Sequence, residues 1–180
     1  MSDLQTLLER NQQFAAEHKG GLTVRPKFFT VILTCLDARV DPAYFLGLEL
    51  GDALVVRNAG GRVTDDVELD LGILWALGMQ GEKFGGLSLV IVQHTDCGLE
   101  RLGNPEFAAA LSKRLGVKQS QIDGLTNTDH EQSIRKDIER LRKSPLVSKE
   151  LVVSGHIYQV EDGTIKEAVA PAALGLGRTK

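Results

Sequence analysis

Cysteine is scarce in this sequence of 180 residues, which contains only Cys35 and Cys97. So small a number excludes a disulfide-rich scaffold, and we expect both thiols to stay reduced. The sequence also lacks any apolar run near the roughly 18 residues that a membrane-spanning helix needs. Residues 1–10 mix acidic side chains with leucines, unlike a secretion or transit signal, so a cytoplasmic location is the default expectation.

Neither sign of charge dominates the chain, whose net charge is -3 and whose isoelectric point is about 5.8. We therefore expect neither a nucleic acid nor an anionic membrane surface as a partner. Hydrophobic residues make up 42% of the sequence, which is enough for a sizeable core, and no linker or repeat divides it. We expect residues 1–180 to form a single domain.

Short apolar, β-rich runs alternate with stretches of helical periodicity, which predicts an α/β fold. We expect a mostly parallel sheet of four core strands with helices on both faces. Asp162 and Gly163 form a hairpin signal that adds an antiparallel edge strand. The predicted strands cover residues 28–34, 53–57, 87–93, 151–160 and 164–169, and the predicted main helices cover residues 2–18, 64–79, 105–115 and 129–144.

Three stretches fit this pattern less directly. The N-terminal helix, about residues 2–18, has an apolar stripe that must pack on its own domain or on a partner subunit. Residues 116–129 are polar and show no clear periodicity. The Gly- and Ala-rich tail from Pro171 is expected to be mobile or to dock on a partner.

Both cysteines follow the ends of predicted buried strands, and His94 precedes Cys97 by three residues. Because ligand sites in such sheets form at the carboxyl ends of the strands, the fold can bring Cys35, His94 and Cys97 together. Two thiolates and an imidazole form a ligand set suited to zinc. A structural zinc site usually has four protein ligands, whereas three leave a position for water or a nearby carboxylate. The pattern therefore indicates a catalytic zinc site.

A carboxylate and a guanidinium, Asp37 and Arg39, follow the first cysteine at spacings of two residues. In an extended stretch Asp37 can face the same side as Cys35, and Arg39 can pair with it in a forked geometry. A carboxylate held in this way beside a zinc-bound water can accept and orient its hydrogen bond. Gly98 presents a backbone N–H that no side chain obstructs.

Each of these features also has a simpler interpretation when it is taken alone. A buried cysteine is commonly core packing, His94 can be a satisfied polar residue, and a surface Asp37–Arg39 pair contributes little. A phosphatase nucleophile is disfavoured because no Gly-rich anion loop follows Cys35. The occurrence of all these residues in one combined pattern favours the metal site.

The pattern Cys35-x-Asp37-x-Arg39 with His94-x-x-Cys97-Gly98 resembles that of the β-class carbonic anhydrases. It is similar in length and motif to the compact branch found in archaea and bacteria. The resemblance extends to residues 55–60 and covers roughly residues 29–97. It implies Zn2+ as the cofactor and the two cysteines and the histidine as its ligands.

The resemblance also implies an activity, the reversible hydration of carbon dioxide to bicarbonate by a zinc-bound hydroxide, with Asp37 and Arg39 as the catalytic dyad. In part of the family the aspartate occupies the fourth zinc position, so Asp37 is expected to be a ligand in the closed state only. Ala59, Gly60 and Gly98 are expected to contact the substrate. The family unit is a homodimer or a multiple of dimers, in which the N-terminal helix reaches across to the partner.

Two positions depart from the family pattern. Plant-type members carry a Gln that contacts bicarbonate where this chain has Glu49-Leu50-Gly51, and many members have two glycines where it has Gly98 and Leu99. Some relatives with the same ligand set hydrolyse carbonyl sulfide or carbon disulfide, so this activity is the alternative hypothesis. A third hypothesis is a non-catalytic, zinc-stabilised dimeric module. The Asp37–Arg39 pair argues against it, because a purely structural site has no need of such a pair.

Overall fold

The computed structural model describes residues 2–77 and 86–176. Five strands form its central sheet: β1 (Thr30–Cys35), β2 (Leu54–Asn58), β3 (Ser88–His94), β4 (Val152–Tyr158) and β5 (Ile165–Ala173). Their order in the sheet is β2-β1-β3-β4-β5. Strands β1 to β4 are parallel, and β5 is antiparallel to β4. The predicted α/β architecture, four parallel strands with an antiparallel edge strand, is confirmed.

The α-helices in the described residues are α1 (Asp3–Glu17), α2 (Pro42–Phe45), α3 (Asp65–Ala76), α4 (Pro105–Leu115), α5 (Gln119–Asp123) and α6 (His130–Lys143). Helix α6 begins after Asp129, whose side chain accepts a hydrogen bond from the backbone N–H of Gln132. Helix α3 ends at Ala76. The prediction continued the helix to residue 79; Leu77 lies just past the observed end, while residues 78–79 and residues 81–85 of the predicted loop lie outside the described residues.

The main hydrophobic core lies on one face of the sheet, where α3 and α6 pack. Side chains that alternate along a strand share one face, while those spaced by three or four residues share one side of a helix. The strands contribute Val31, Leu33, Leu89, Ile91 and Val153, and the two helices contribute Val67, Leu71, Ile134, Ile138 and Leu141. This packing fixes β1 and β3 side by side at the centre of the sheet.

The strands that carry Cys35 and His94 run one residue further than the sequence predicts. Cys35 pairs with Asn58, and His94 pairs with Tyr158, so the backbones of both proposed ligands are still held in the sheet ladder. They are the last residues of β1 and β3 rather than the first residues of loops. Strand β2 differs from its prediction as a buried strand, because it lies at the sheet edge and leaves Val55 44% exposed.

The prediction of a mobile tail is wrong as far as Leu176, where the description ends, while docking of the tail on a partner stays a prediction. Strand β5 continues through Pro171 to Ala173, and Leu174 is buried in the main core. The backbone N–H of Leu174 also donates to the carbonyl oxygen of Leu151 at 3.0 Å. The tail therefore packs on its own domain. Residues 116–129, which gave no periodicity in the sequence, contain α5.

Helix α1 has no buried residue. Its apolar stripe is at least half exposed in the single chain: Leu4 64%, Leu7 59%, Leu8 50% and Phe14 50%. The partner subunit expected to cover this stripe remains a prediction. Within the described residues, no helix combines the length and the apolar character that crossing a membrane requires.

Candidate metal centre

Cys35, His94 and Cys97 meet at the carboxyl ends of β1 and β3. The two Sγ atoms and a ring nitrogen of His94 lie within 4.8 Å of one another, and all three residues are buried. Strand β1 lies between β2 and β3, so the chain crosses over at this point and leaves a crevice beyond the strand ends. Both cysteines are free thiols, as the sequence predicts. The fold thus assembles one predicted ligand set from residues 59 positions apart.

The orientation of His94 leaves one ring nitrogen available for a metal. Its Nδ1 lies 2.8 Å from the carbonyl oxygen of Thr95, a contact in which Nδ1–H is the donor. Its Nε2 is buried and makes no hydrogen bond within the described part of the chain. Because buried polar atoms in proteins are nearly always paired, this nitrogen fits a metal ligand, with Thr95 fixing the tautomer.

The two thiols shift each other's pKa in opposite directions in the metal-free protein. Hydrogen bonding from Cys97 lowers the pKa of Cys35 despite burial, and the backbone N–H groups of Asp37 and Gly60 act in the same direction. The same sulfur–sulfur contact, together with burial, raises the pKa of Cys97. Burial disfavours the charged form of His94, but its contacts with Cys97 outweigh that effect and raise its pKa. Cys35 is therefore the thiol of the pair that loses its proton more readily.

The turn after β2 brings backbone close to the cluster. Gly61 has a φ of +61°, and a Cβ there would lie 3.0–3.1 Å from backbone atoms of Thr34 and Cys35. Gly60 has a φ of +79°, and a Cβ there would lie 2.6 Å from a methyl group of Leu99. Both positions therefore require glycine, on conformational and on steric grounds.

The three residues predicted to contact the substrate differ in accessibility. Ala59 is exposed in the turn after β2, whereas Gly60 is buried under Leu99. Gly98 is exposed beside Cys97, and a Cβ there would meet nothing within 4 Å. Ala59 and Gly60 lie near Cys35, because Asn58 just before them pairs with Cys35 in the sheet. Gly98 directly follows Cys97, and the space beside it is open.

Asp37 and Arg39 form the forked ion pair that the sequence predicts. The Nε of Arg39 donates to Asp37 Oδ1 at 3.0 Å, and Nη2 donates to Oδ2 at 2.7 Å. The backbone N–H of Arg39 also donates to Oδ1, at 2.9 Å. These hydrogen bonds hold the pKa of Asp37 well below its usual range and raise that of Arg39. Asp37 is therefore ionised and fixed, with both oxygens turned to Arg39.

Arg57 holds the loop between Cys35 and Asp41, and it was not among the predicted site residues. Its Nε donates to the carbonyl oxygen of Cys35 at 3.0 Å, and Nη2 donates to that of Asp37 at 2.7 Å. Its Nη1 lies 3.0 Å from Asp41 Oδ2. The sequence feature that could have identified Arg57 is its charge, because it lies near the end of the otherwise apolar strand β2.

Two further buried or partly buried polar residues near Cys97, Glu100 and Asn127, were not predicted from the sequence. Glu100 Oε1 accepts from the backbone N–H of Cys97 at 3.0 Å and lies 3.3 Å from His130 Nε2. Asn127 is 1% exposed, and neither polar atom of its side chain has a hydrogen-bond partner within the described residues. No sequence signal pointed to Asn127, because it lies in the stretch without periodicity.

Apolar side chains complete the surroundings of the two sulfurs. Val40 is buried against Cys35 and Cys97, and a partly buried set packs on this group: Phe45, Leu99, Tyr158 and Val160. The rings of Phe45 and Tyr158 stack with their centroids 4.6 Å apart. The centre thus has an ionic side at Asp37–Arg39 and an apolar side at these residues.

Comparison with known proteins decides the family. The carbonic anhydrase family profile matches residues 30–165, a span that contains the cluster, the ion pair and the apolar set. The chain belongs to the β-class carbonic anhydrase family. The resemblance seen in the sequence motifs is confirmed, and the match extends well beyond residues 29–97.

Relatives of this carbonic anhydrase family member include enzymes of two activities. A solved carbonic anhydrase from Streptococcus mutans is 39% identical with a TM-score of 0.77, covering 93% of this chain and 98% of that chain. Beta-carbonic anhydrase 1 of Mycobacterium tuberculosis is 31% identical over 160 residues, covering 89% of this chain and 94% of the relative. Carbon disulfide hydrolase of Saccharolobus solfataricus is 31% identical over 159 residues, covering 76% of this chain and 75% of the relative.

Proposed function

We propose that this protein is a zinc-dependent carbonic anhydrase that interconverts carbon dioxide and bicarbonate. The observation that carries the proposal is the buried cluster of Cys35, His94 and Cys97, with an imidazole nitrogen that lacks a partner, close to the Asp37–Arg39 pair. Membership of the β-class family supports the same activity. The ion pair argues against a purely structural metal site, which needs no such carboxylate.

The proposed ligands are Cys35, His94 and Cys97. Two sulfurs and one nitrogen suit Zn2+, and three protein ligands leave a fourth position for chemistry. When bound, zinc supplies an activated water that attacks the carbon of the substrate. The buried Nε2 of His94 would gain the partner that it lacks, and both thiols would bind as thiolates.

The proposed catalytic residues are Asp37 and Arg39. Because Arg39 holds both oxygens of Asp37, the carboxylate stays ionised and can accept a hydrogen bond from the attacking water in one fixed orientation. Arg39 acts through this geometry, since its fork matches the carboxylate plane in a way that a lysine does not. In the competing arrangement, the closed state, Asp37 leaves Arg39 and occupies the fourth metal position itself.

The substrate site is proposed to lie between the ionic side and the apolar side of the centre. Apolar walls such as Phe45 and Leu99 suit a small apolar molecule. Gly98 supplies an accessible backbone N–H, while Ala59 and Gly60 supply the turn beside Cys35. Of the two glycines, Gly98 is the better donor to a substrate oxygen, because Leu99 covers Gly60.

Hydrolysis of carbon disulfide or carbonyl sulfide is the second candidate function. Carbon disulfide hydrolases are among the relatives, and an apolar wall also suits these sulfur analogues. The proposed ligand set serves both reactions, because an activated water attacks carbon in each case. Access to the metal distinguishes the two, so measurement of the reactions themselves must decide.

The deciding experiment uses zinc-loaded protein and three substrates. Proton release from carbon dioxide is followed by stopped flow, and sulfide release from carbonyl sulfide and from carbon disulfide is followed in parallel. We expect hydration of carbon dioxide to be the fastest reaction. Sulfide release that far outpaces hydration would favour the second candidate, and absence of turnover with all three would favour a non-catalytic module. The Cys97→Ser variant, which should lose most of the metal, is the control for background chemistry.

We further infer a homodimer, or a multiple of dimers, in a reducing compartment such as the cytoplasm. The exposed apolar stripe of α1 supports the dimer, because an isolated domain gains nothing from exposing it. Two free thiols as metal ligands support the reducing compartment. The same proposal takes residues 1–180 as one domain with α1 as its N-terminal arm.

A further inference from the structure

Arg39 lies between two carboxylates that come from different loops. Opposite the edge that binds Asp37, its Nη1 lies 2.6 Å from Asp96 Oδ2, and its Nη2 donates to the backbone carbonyl oxygen of Asp96 at 3.0 Å. A guanidinium has five N–H donors, so the contacts with Asp37 and those with Asp96 use different hydrogens. The two carboxylates therefore bind Arg39 together instead of competing for it.

The backbone at Asp96 has a conformation that is uncommon for residues other than glycine, with a φ of +55°. Four hydrogen bonds fix the preceding residue, Thr95. Its N–H donates to Tyr158 O at 3.0 Å, and its hydroxyl donates to Glu161 Oε2 at 2.9 Å. Its hydroxyl also accepts from the N–H of Val160 at 3.0 Å, and its carbonyl oxygen accepts from His94 Nδ1 at 2.8 Å. Such conformations persist where their surroundings hold them, and they are enriched at functional sites. This one directs both the carboxylate and the carbonyl oxygen of Asp96 to Arg39.

We propose that Asp96 is a positioning residue that holds Arg39 against Asp37 and so keeps the Asp37 carboxylate away from the metal. The inference rests on the proposed function, because it requires a metal in the cysteine–histidine cluster. Asp37 can bind Arg39 or the metal, and it cannot present the same oxygens to both. Any contact that restricts Arg39 to its present rotamer therefore favours the arrangement in which the fourth metal position is open.

The role is one of orientation and contributes little to folding. The side chains of Arg39 and Asp96 are 45% and 70% exposed, and ion pairs this exposed add little to stability. Without Asp96, Arg39 keeps Asp37 as its acidic partner, and its long side chain regains rotamers that do not engage Asp37. The energy range measured for exposed pairs corresponds to about a twofold to fivefold shift in the balance between the two arrangements.

The experiment replaces zinc with Co2+, whose absorption reports its ligands, and titrates the protein with azide. Azide binds at an open metal position and competes with Asp37 for it. Two variants separate the carboxylate from the backbone, because Asp96→Asn retains a residue that tolerates positive φ, whereas Asp96→Gly removes the conformational restriction altogether. We expect both variants to retain one cobalt per chain and to bind azide about twofold to fivefold more weakly than the wild type.

The sign of the effect is decisive. Loss of a negative charge close to the metal would by itself strengthen the binding of an anion, so weaker azide binding identifies the positioning role. In an Asp37→Asn background the weakening caused by Asp96→Asn should disappear, because Asp96 acts through Asp37. The matched control is Asp65→Asn, which removes an exposed aspartate paired with Arg140 away from the cluster and should leave azide binding unchanged.

Unchanged or tighter azide binding in both Asp96 variants, with cobalt content intact, overturns the role of Asp96 and leaves the proposed function standing. Weakening that persists in the Asp37→Asn background also overturns it, because the effect would then not pass through Asp37. A wild-type protein that binds no cobalt or zinc removes the proposed function and this inference together.

Discussion

Arg62 and Asp137 form a buried, bidentate ion pair that joins the turn after β2 to helix α6. Arg62 Nε lies 2.8 Å from Asp137 Oδ2, Nη2 lies 2.9 Å from Oδ1, and the side chains are 5% and 4% exposed. The side chain of Asn58 binds both the backbone N–H and the carbonyl oxygen of Arg62, at 2.8 Å and 2.7 Å. The pair therefore anchors the turn whose glycines approach Cys35.

The first prediction concerns this ion pair. Arg62→Met and Asp137→Leu should each lower the free energy of unfolding by about 3–5 kcal/mol, because each leaves an uncompensated buried charge. The double variant should lose less than the sum of the two, since it removes both charges. Urea unfolding of the four proteins measures these values. Arg135→Met, which breaks the exposed pair with Glu131, is the control and should cost less than about 1 kcal/mol.

Single variants that each lose less than about 1 kcal/mol would contradict this account, because a buried charge without its partner should cost several times more. Variants that lose the expected stability but keep the zinc affinity of the wild type would separate folding from site geometry. In that case the ion pair stabilises the domain without determining the position of the turn after β2.

Sequence periodicity was sufficient to predict the sheet and to place the proposed ligands at the ends of its strands. Alternation of apolar runs with helical stretches predicted the parallel strands, and the ends of those strands located Cys35 and His94. The exact strand ends could not be predicted, because pairing between Cys35 and Asn58 depends on two strands meeting in register. The Asp37–Arg39 fork was predictable because it is local in the chain.

Contacts between distant parts of the chain were not predictable. Asp137 lies 75 positions from Arg62, and Asp96 lies 57 positions from Arg39, so no local pattern relates either acid to its arginine. The tail from Pro171 gave a misleading signal, since its small residues suit a mobile segment as well as an edge strand. Its pairing with β4 decides in favour of the strand.

The second prediction is that zinc binding weakens as pH falls. In the metal-free protein burial and the neighbouring Cys35 sulfur raise the pKa of Cys97, so this thiol carries a proton near neutral pH that zinc must displace. The pKa of His94 is also raised, which adds to the competition between protons and zinc. Because each released proton costs about tenfold in affinity per pH unit, we expect a loss of about tenfold to a hundredfold per unit around neutral pH. Competition with a chromophoric chelator between pH 6 and 8 measures the slope.

Calorimetry in buffers of different ionisation enthalpy provides an independent count of the released protons.

Cys35→Ser and Cys97→Ser should each lose most of the metal, because a neutral hydroxyl replaces thiolate poorly. Full zinc occupancy in the double Cys→Ser variant would refute the ligand assignment. A pH-independent affinity in the wild type would show that the ligands are already deprotonated before zinc binds.

The third prediction concerns assembly through α1. Deleting residues 1–19 should weaken the proposed dimer, because the helix that carries Leu4, Leu7 and Leu8 is lost together with its exposed apolar stripe. Sedimentation at several protein concentrations measures the dissociation constant. Replacing only these leucines with glutamine tests the stripe while keeping the chain length. A truncated protein that sediments as the same dimer with unchanged stability would exclude α1 from the interface.

The fourth prediction concerns the two residues of the proposed dyad. Asp37→Asn should retain zinc and lose about tenfold to a hundredfold in hydration rate, because the amide replaces a charged acceptor with a neutral one. Arg39→Ala removes the hydrogen bonds that lower the pKa of Asp37, so that pKa should rise towards its ordinary value. Asp37 remains ionised at neutral pH in this variant but is free to bind the metal, and the rate should again fall.

Arg39→Lys separates charge from geometry, since it keeps the positive charge and loses the fork. We expect it to resemble Arg39→Ala more than the wild type, because orientation of Asp37 is what the pair provides. Stopped-flow rates between pH 6 and 9, with zinc content checked at each pH, compare all four proteins. The wild-type rate should rise with pH as the attacking water loses its proton. A wild-type rate and profile in Asp37→Asn would eliminate the catalytic role of Asp37, and the role of Arg39 that depends on it.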